Sequence, residues 1–168
     1  AIIGAGVVGL SIAHFLSKTK LSVLVLDSED NFGRVTSSRN SEVIHSGIFN
    51  PPNSLKYQLC RRGNELIYKF CDVNKIWYKN CGKIIVSKEE EIDNFNSFTE
   101  TLSRKKIEYD ILTSDQSSKI ENHIISDKSI YIDSAGVIDS HDYMNHLFRI
   151  ASNNCTFIFE SKANEIKK

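Results

Sequence analysis

The first 27 residues combine two apolar patterns. Ala1–Ile3 and Leu21–Leu26 are short, almost continuous apolar runs, which are typical of parallel strands covered on both faces. The connection between them is long enough for a right-handed crossover. Its apolar side chains recur at helical spacing, at Leu10, Ile12, Ala13 and Leu16. The pattern predicts a βαβ unit at the start of the chain.

The segment from residue 28 to residue 53 interrupts this regularity. It is rich in Ser, Asn, Gly and Pro, with charged residues interspersed. Long irregular segments are uncommon in compact domains unless they have a function. We therefore interpret this segment as a loop that wraps around a ligand.

Two more helices are predicted in the middle of the chain. The first runs from about Ser54 to Val73, with Leu55, Leu59, Leu66 and Phe70 on one face. The second follows Ser87–Glu90, which has the S-x-x-E form of a capping box. Its apolar positions are Ile92, Phe95, Phe98 and Leu102.

The remaining pattern adds strands and a last helix. Strand-like segments cover Gly82–Ser87, Tyr109–Leu112, Ser129–Ile132 and Thr156–Glu160. A turn is predicted at Ala135–Gly136, and Ser140 is predicted to cap a helix. Because helices and strands alternate throughout, the sequence favours an α/β fold.

The charge balance excludes several partners. The 168 residues carry 21 basic and 21 acidic side chains, so the formal net charge is zero. Binding to nucleic acid or to an anionic membrane surface would call for a basic excess. Hydrophobic residues make up 40% of the chain, which is ordinary for a folded domain. No apolar run approaches the roughly 18 residues that span a bilayer.

The cysteines indicate a reducing compartment. Cys60, Cys71, Cys81 and Cys155 form no C-x-x-C pair, so neither a zinc ribbon nor a disulfide framework is indicated. The histidines show no metal-ligand spacing, and we expect no metal site. A cytoplasmic location is expected, and peripheral attachment to a membrane stays open.

One motif carries chemistry directly. Gly4-Ala-Gly6-Val-Val-Gly9 is a G-x-G-x-x-G between the predicted first strand and first helix. In such a fingerprint the glycines permit a tight turn, close approach of a pyrophosphate, and packing of helix on strand. Asp27 closes the second strand 18 residues after Gly9, where a carboxylate can accept hydrogen bonds from a ribose. The motif predicts dinucleotide binding and leaves NAD and FAD both open.

The loop after Asp27 resembles a known family. Its T-S-S-x-x-S-x-x-I-H-x-G pattern, Thr36–Gly47, is similar to that of FAD-dependent oxidoreductases of the D-amino-acid oxidase and glycerol-3-phosphate dehydrogenase type. The longer segment Thr36–Pro52, with Ser54–Lys56 and Cys81–Val86, resembles the L-2-hydroxyglutarate dehydrogenase/oxidase branch. The resemblance extends from Ala1 to about Tyr143.

This resemblance implies the site residues. Gly4, Gly6, Gly9 and Asp27 would bind the ADP half of FAD. His45 would lie near the flavin ring and orient or deprotonate a substrate hydroxyl. The alternatives are a histidine that hydrogen-bonds backbone in an ordered loop and, less favoured, covalent attachment of the flavin. Lys56, Arg61 and Arg62 would either hold a dicarboxylate or form a solvated basic face. The residues expected along the pyrophosphate or flavin are Thr36, Ser37, Ser38, Arg39 and Ser41.

The resemblance also implies architecture. We expect a Rossmann-like FAD-binding domain with a parallel sheet, and part of an intertwined α+β substrate domain. The flavin domain would comprise residues 1–75 and 137–168, and the substrate domain residues 76–136.

The implied reaction is oxidation of a small 2-hydroxy acid to the 2-oxo acid. Hydride would pass to FAD, and electrons then to a quinone, an acceptor protein or oxygen. An amino-acid or glycerol-3-phosphate oxidoreductase of the same fold is an alternative, and a catalytically inert nucleotide-binding fragment is another.

The chain is expected to be a fragment. Only three residues precede Gly4, whereas a strand usually has about five or six, and the family's enzymes are more than twice as long. We therefore expect activity from the full-length parent and none from this chain alone.

Overall fold

A computed structural model describes residues 1–165. The helices in this part are α1 (Val7–Leu16), α2 (Leu55–Asn74), α3 (Ile92–Arg104), α4 (Ser114–Ile120) and α5 (Ser140–Ala151). The strands are β1 (Ile2–Ile3), β2 (Val23–Leu26), β3 (Val43–Ile44), β4 (Tyr78–Lys79), β5 (Lys83–Ser87), β6 (Asp110–Thr113), β7 (Lys128–Ile132), β8 (Gly136–Ile138) and β9 (Cys155–Ile158). Two short 3₁₀ turns lie at Thr36–Ser38 and Glu89–Glu91.

The parallel sheet forms around the predicted βαβ unit. Its strand order is β1-β2-β9, and both pairs are parallel. Val23 and Val25 of the central strand are buried, and Ala13 of α1 is fully buried in the same core. Helix α5 packs against α1. The structure confirms the predicted α/β fold with a parallel sheet.

Two further sheets lie outside the parallel sheet. Strand β7 lies between β5 and β6 and pairs antiparallel with both. Helix α3 buries Phe95 and Leu102 in a core shared with Ile130 and Ile132 of β7. A third, short sheet has the order β3-β8-β4.

The described chain divides into two compact units. The first consists of Ala1–Glu42, Cys71–Trp77 and the described residues from Ile138 onward; the second consists of Val43–Phe70 and Tyr78–Val137. Assignment of residues 1–75 and 137–168 to a flavin domain, and of 76–136 to a substrate domain, stays a prediction. Residues 166–168 of that assignment lie outside the described residues.

Several local predictions were wrong by one or a few residues. The helix after β5 is preceded by a cap at Lys88, whose amide donates to the Glu91 carboxylate at 3.1 Å. Ser87 instead uses its hydroxyl to donate to the Lys88 carbonyl. Asp139, rather than Ser140, caps α5, because its carboxylate accepts from the Asp142 amide at 2.8 Å. Short polar side chains compete for these positions, so spacing alone does not choose between neighbours.

The turn and the loop also differ from expectation. Residues 133 and 134 form the turn, and Gly136 begins β8. Helix α4 was not predicted; Thr113 caps it through a reciprocal bond with Gln116. The segment 28–53 contains the 3₁₀ turn at Thr36–Ser38 and the short strand β3 within its irregular backbone.

The apolar residues of α2 are more exposed than a core face would be. Leu55, Leu59 and Leu66 are 67%, 57% and 51% exposed. The predicted helix is therefore confirmed, whereas its leucines do not enter the core of the described residues.

The four cysteines are all free thiols. Cys71 and Cys155 are buried, Cys60 is half-buried and Cys81 is exposed. Burial, together with the nearby carboxylates of Asp72 and Asp142, raises the pKa of the Cys71 thiol to about 11. Within residues 1–165, no helix is both long and apolar enough to cross a membrane.

The cysteine environments predict a labelling order. In the folded protein, a maleimide at mildly alkaline pH should modify Cys81 at least about tenfold faster than Cys71, because the buried thiol is both inaccessible and protonated. Peptide mass spectrometry after timed quenching gives the rates. In urea all four cysteines should react at similar rates, and equal rates in the folded state would contradict the burial of Cys71.

Candidate functional site

The glycine motif forms a tight turn between β1 and α1. Gly4 has φ +98°, a conformation that glycine adopts at little cost. A Cβ on Gly9 would overlap the carbonyl oxygen of Gly4. Helix α1 therefore begins directly against the turn, and a side chain at Gly9 would push the two apart.

Asp27, at the end of β2, is bound to this turn. Its Oδ2 accepts a hydrogen bond from the Ala5 amide at 2.5 Å, and its Oδ1 accepts from the Glu29 amide at 3.0 Å. A carboxylate has about four lone-pair positions. Asp27 is thus held beside the glycine turn with acceptor capacity left for hydroxyl donors.

Ser37 lies at the N-terminus of α1. Its hydroxyl oxygen accepts from the Val7 amide at 3.0 Å. A Cβ on Gly6 would come within 2.9 Å of the same oxygen. In this structure the absence of a side chain at Gly6 thus permits the approach of Ser37, whereas the role of Gly6 toward a pyrophosphate stays a prediction.

The other predicted residues of the loop are spread along it. Thr36 and Ser41 are exposed. Ser38 and Arg39 border a cavity of about 500 Å³, together with Glu29, Gly33 and Met144. No described residue forms an ion pair with the Arg39 guanidinium, which leaves it available to an anion. Arg34, which borders the same cavity, pairs instead with Asp30 at 2.9 Å.

His45 belongs to the second compact unit. Its side chain is exposed, and its carbonyl accepts from the Asn64 amide group at 3.2 Å. Helix α2 thus fixes the backbone at His45, while the imidazole makes no hydrogen bond to any described residue. The alternative of a ring bonded to backbone in an ordered loop is not what the structure shows.

His45 borders a cavity of about 200 Å³ that is also lined by Lys56, Cys60 and Lys83. Partial desolvation of the ring lowers the pKa of His45 below its ordinary value of 6.5, and the positive charges of Lys83 and Lys56 lower it further. The imidazole is therefore neutral at pH 7 and able to accept a proton. Arg61 borders a different cavity, and Arg62 is exposed on α2.

Sequence reasoning missed a buried lysine in this unit. Lys105 is 9% exposed, and its Nζ donates to the carbonyls of Ile48 and Asn50 at 2.6 and 2.9 Å. Its ammonium also lies 5.6 Å from the centre of the Tyr57 ring. A signal was present, because Lys105 continues the spacing of the inward positions Phe95 and Leu102 beyond the end of α3.

The structure therefore groups the predicted residues in two places. Gly4, Gly6, Gly9, Asp27 and Ser37 meet at the carboxyl ends of β1 and β2. His45 lies in the other compact unit with Lys56 and with Lys83, which the sequence had not singled out.

Comparison with known proteins shows which sequences and folds the chain resembles. The family model described as FAD dependent oxidoreductase matches residues 1–168. The mitochondrial L-2-hydroxyglutarate dehydrogenase of Arabidopsis thaliana is 40% identical over 145 residues, which are 85% of this chain and 30% of that protein. The L-2-hydroxyglutarate dehydrogenase of Escherichia coli is 31% identical over 168 residues, which are 98% of this chain and 38% of that protein. The chain thus spans less than two fifths of these relatives.

A solved structure shares the fold. The L-alpha-glycerophosphate oxidase of Mycoplasma pneumoniae with FAD bound superposes with a TM-score of 0.84 at 23% identity, covering 95% of this chain and 44% of that one. At this identity the likeness concerns the fold alone. With the glycine turn, the Asp27 carboxylate and the family match in agreement, the chain belongs to the FAD-dependent oxidoreductases, which confirms the family, fold class and cofactor predicted from its sequence.

Proposed function

We propose that this chain is part of a longer dehydrogenase that oxidises L-2-hydroxyglutarate to the 2-oxo acid. The observation that carries the proposal is its similarity to L-2-hydroxyglutarate dehydrogenases, 40% identical in one relative and 31% in another. The chain would provide the ADP-binding turn of the FAD site and a portion of the substrate site. The glycerol-3-phosphate and amino-acid alternatives share the fold and become outcomes of the substrate experiment below.

The turn between β1 and α1 has the chemistry that a pyrophosphate requires. Among the described residues, the amides of Gly6, Val8 and Gly9 have no hydrogen-bond acceptor. Helix α1 carries no acidic residue in its first turn, so the positive end of its dipole is not neutralised. Asp27 supplies acceptors for ribose hydroxyls beside the same turn. These features support the assignment of the ADP half of FAD to this place.

Bound FAD supplies the hydride acceptor for the oxidation. The hydroxyl of the substrate must lose a proton in the same reaction. His45 suits this role because its imidazole is neutral at pH 7 and no described residue occupies its nitrogens. The Asn64 side chain fixes the backbone of His45 by donating a hydrogen bond to its carbonyl oxygen. We assign His45 as the proton acceptor.

The substrate assignment predicts an order of reactivity. Full-length protein, purified with FAD and kept anaerobic, should be reduced by L-2-hydroxyglutarate faster than by D-2-hydroxyglutarate, glycerol 3-phosphate or D-amino acids. Loss of flavin absorbance in a stopped-flow instrument measures this. The 168-residue chain alone should give no turnover, because misplacing reacting atoms by about 1 Å costs on the order of a hundredfold. If glycerol 3-phosphate or an amino acid reduces the flavin and L-2-hydroxyglutarate does not, the protein is instead a glycerol-3-phosphate or an amino-acid oxidoreductase.

The glycine turn predicts loss of cofactor in one variant and not in another. Gly6→Val should abolish FAD binding while circular dichroism stays close to wild type, because the new side chain would collide with Ser37 where the turn meets α1. Gly63→Val is the matched control, since a Cβ there meets nothing within 4 Å. Flavin content per polypeptide is the measurement. Wild-type flavin content in Gly6→Val would overturn the role of this turn.

The role of His45 predicts a pH dependence. In the full-length protein, kcat/KM for L-2-hydroxyglutarate should fall as pH drops through the pKa of His45, which lies below 6.5, because protonated imidazole cannot accept a proton. Lys83→Met should move this acid limb to higher pH, since it removes a positive charge that disfavours protonation. Profiles between about pH 5 and 8 test this. An unchanged acid limb in His45→Gln would show that another group titrates.

A further inference from the structure

The cavity at His45 is lined by basic groups without an acidic counterpart. His45, Lys56 and Lys83 border it, and its remaining lining residues are small, apolar or amide side chains. Its volume of about 200 Å³ is below the roughly 300–1,000 Å³ of sites that enclose drug-sized ligands. The cavity therefore suits a small anionic molecule.

Neither lysine is neutralised by the protein. Within residues 1–165, no carboxylate lies within ion-pair distance of Lys56 or Lys83. Lys83 is held with its ammonium 5.6 Å from the centre of the Phe49 ring, which borders the same cavity. A cation over an aromatic face keeps its full charge. Both charges remain available to a ligand.

Lys56 is exposed and lies at a helix end where a cation is slightly unfavourable and an anion favourable. It is the second residue of the 20-residue helix α2, whose first turn contains no acidic side chain. A cation at this end opposes the helix dipole. The amides of Leu55 and Lys56 also have no acceptor among the described residues. The ammonium of Lys56 and the N-terminus of α2 thus both contribute positive potential beside the cavity.

Ser46 provides an independent sign of a ligand. It is 7% exposed and borders both this cavity and the one at Arg61. Its Oγ is shielded from solvent and is the one buried side-chain oxygen or nitrogen of the described residues without a hydrogen-bond partner. An unpaired buried hydroxyl costs about 1–3 kcal/mol. Because the Oγ is shielded in this structure, an oxygen ligand in the cavity would accept or donate the missing hydrogen bond once the Ser46 side chain turns toward it.

We propose that the cavity bordered by Ser46, Lys56 and Lys83 is a dicarboxylate-binding site that selects a dianionic substrate over a monoanionic one. Two unpaired ammonium groups match two carboxylates in charge, and the Ser46 hydroxyl adds a neutral hydrogen bond. The choice of a five-carbon dicarboxylate as ligand rests on the proposed function. The selection of a dianion rests on the cavity itself.

Direct binding tests the site without turnover. Glutarate has two carboxylates and no hydroxyl to oxidise, and butyrate is its monocarboxylate counterpart. Isothermal titration of the full-length FAD-loaded protein should show glutarate binding more tightly than butyrate. Lys56→Met and Lys83→Met should each weaken glutarate binding by about 10- to 100-fold and affect butyrate less. Ser46→Ala should have a smaller effect on glutarate, since it removes one neutral hydrogen bond.

Lys69→Met is the matched control. Lys69 lies on the same helix as Lys56, is exposed, and borders none of the cavities described above. The Lys69→Met variant should bind glutarate as tightly as the wild type does. Flavin content should be unchanged and melting temperature should not fall in any of the four variants, which separates loss of binding from loss of folding.

The outcomes separate this site from the proposed function. Undetectable glutarate binding in the wild type, or binding in both lysine variants as tight as in the wild type, would overturn the site. If glutarate binding depends on both lysines while L-2-hydroxyglutarate does not reduce the flavin, the site stands and the proposed function fails. If L-2-hydroxyglutarate reduces the flavin with unchanged kcat/KM in both lysine variants, the function stands and the site fails.

Discussion

The buried peptide groups of Ala5 determine how the glycine turn, strand β2 and the following loop are held together. Ala5 is fully buried, and buried backbone groups must be paired. Its amide donates to the Asp27 carboxylate, and its carbonyl accepts from the Gly33 amide at 3.0 Å. One residue thus joins the first turn, the end of β2 and the loop that follows. The glycine turn and the Asp27 carboxylate keep their relation because the peptide groups of Ala5 cannot be left unpaired.

The second compact unit uses a buried cation for a similar purpose. Lys105 places an ammonium where water has little access and satisfies it with the carbonyls of Ile48 and Asn50. Removing the Lys105 ammonium from water is costly, and the two hydrogen bonds compensate this cost only while both carbonyls stay in place. The Tyr57 hydroxyl and the Arg61 guanidinium both donate to the Lys105 carbonyl. These bonds make the loop wall beside His45 a fixed surface.

Sequence reasoning recovered those features that depend on periodicity or on backbone freedom. The βαβ unit and the glycine turn follow from spacing, because burial and a left-handed φ restrict the choice of residue. The long helix α2 was also found from its apolar spacing, although the leucines of that face are exposed. Caps were misplaced by one residue. At α5 the neighbouring Asp139 and Ser140 could both accept from the same amides, and at Lys88 the cap is made by the backbone amide rather than by a side chain.

The grouping of Lys83 with His45 and Lys56 could not be predicted from local pattern. Lys83 begins β5, and its place at the cavity depends on antiparallel pairing with β7 near Ile132. Pairing over such a separation is a tertiary property. Residue roles toward FAD likewise depend on where separate segments meet, as the contact of Ser37 with Val7 shows.

The order β1-β2-β9 has a consequence for how the protein is made. Strand β2 pairs on one side with β1 and on the other with β9, whose residue Cys155 is more than 130 positions away from its partner Val23. On a ribosome that releases about 5–20 residues each second, one edge of β2 stays unpaired for on the order of ten seconds. Exposed strand edges are where chains associate wrongly. During synthesis, therefore, the unpaired edge of β2 is a place where a chaperone would prevent wrong association.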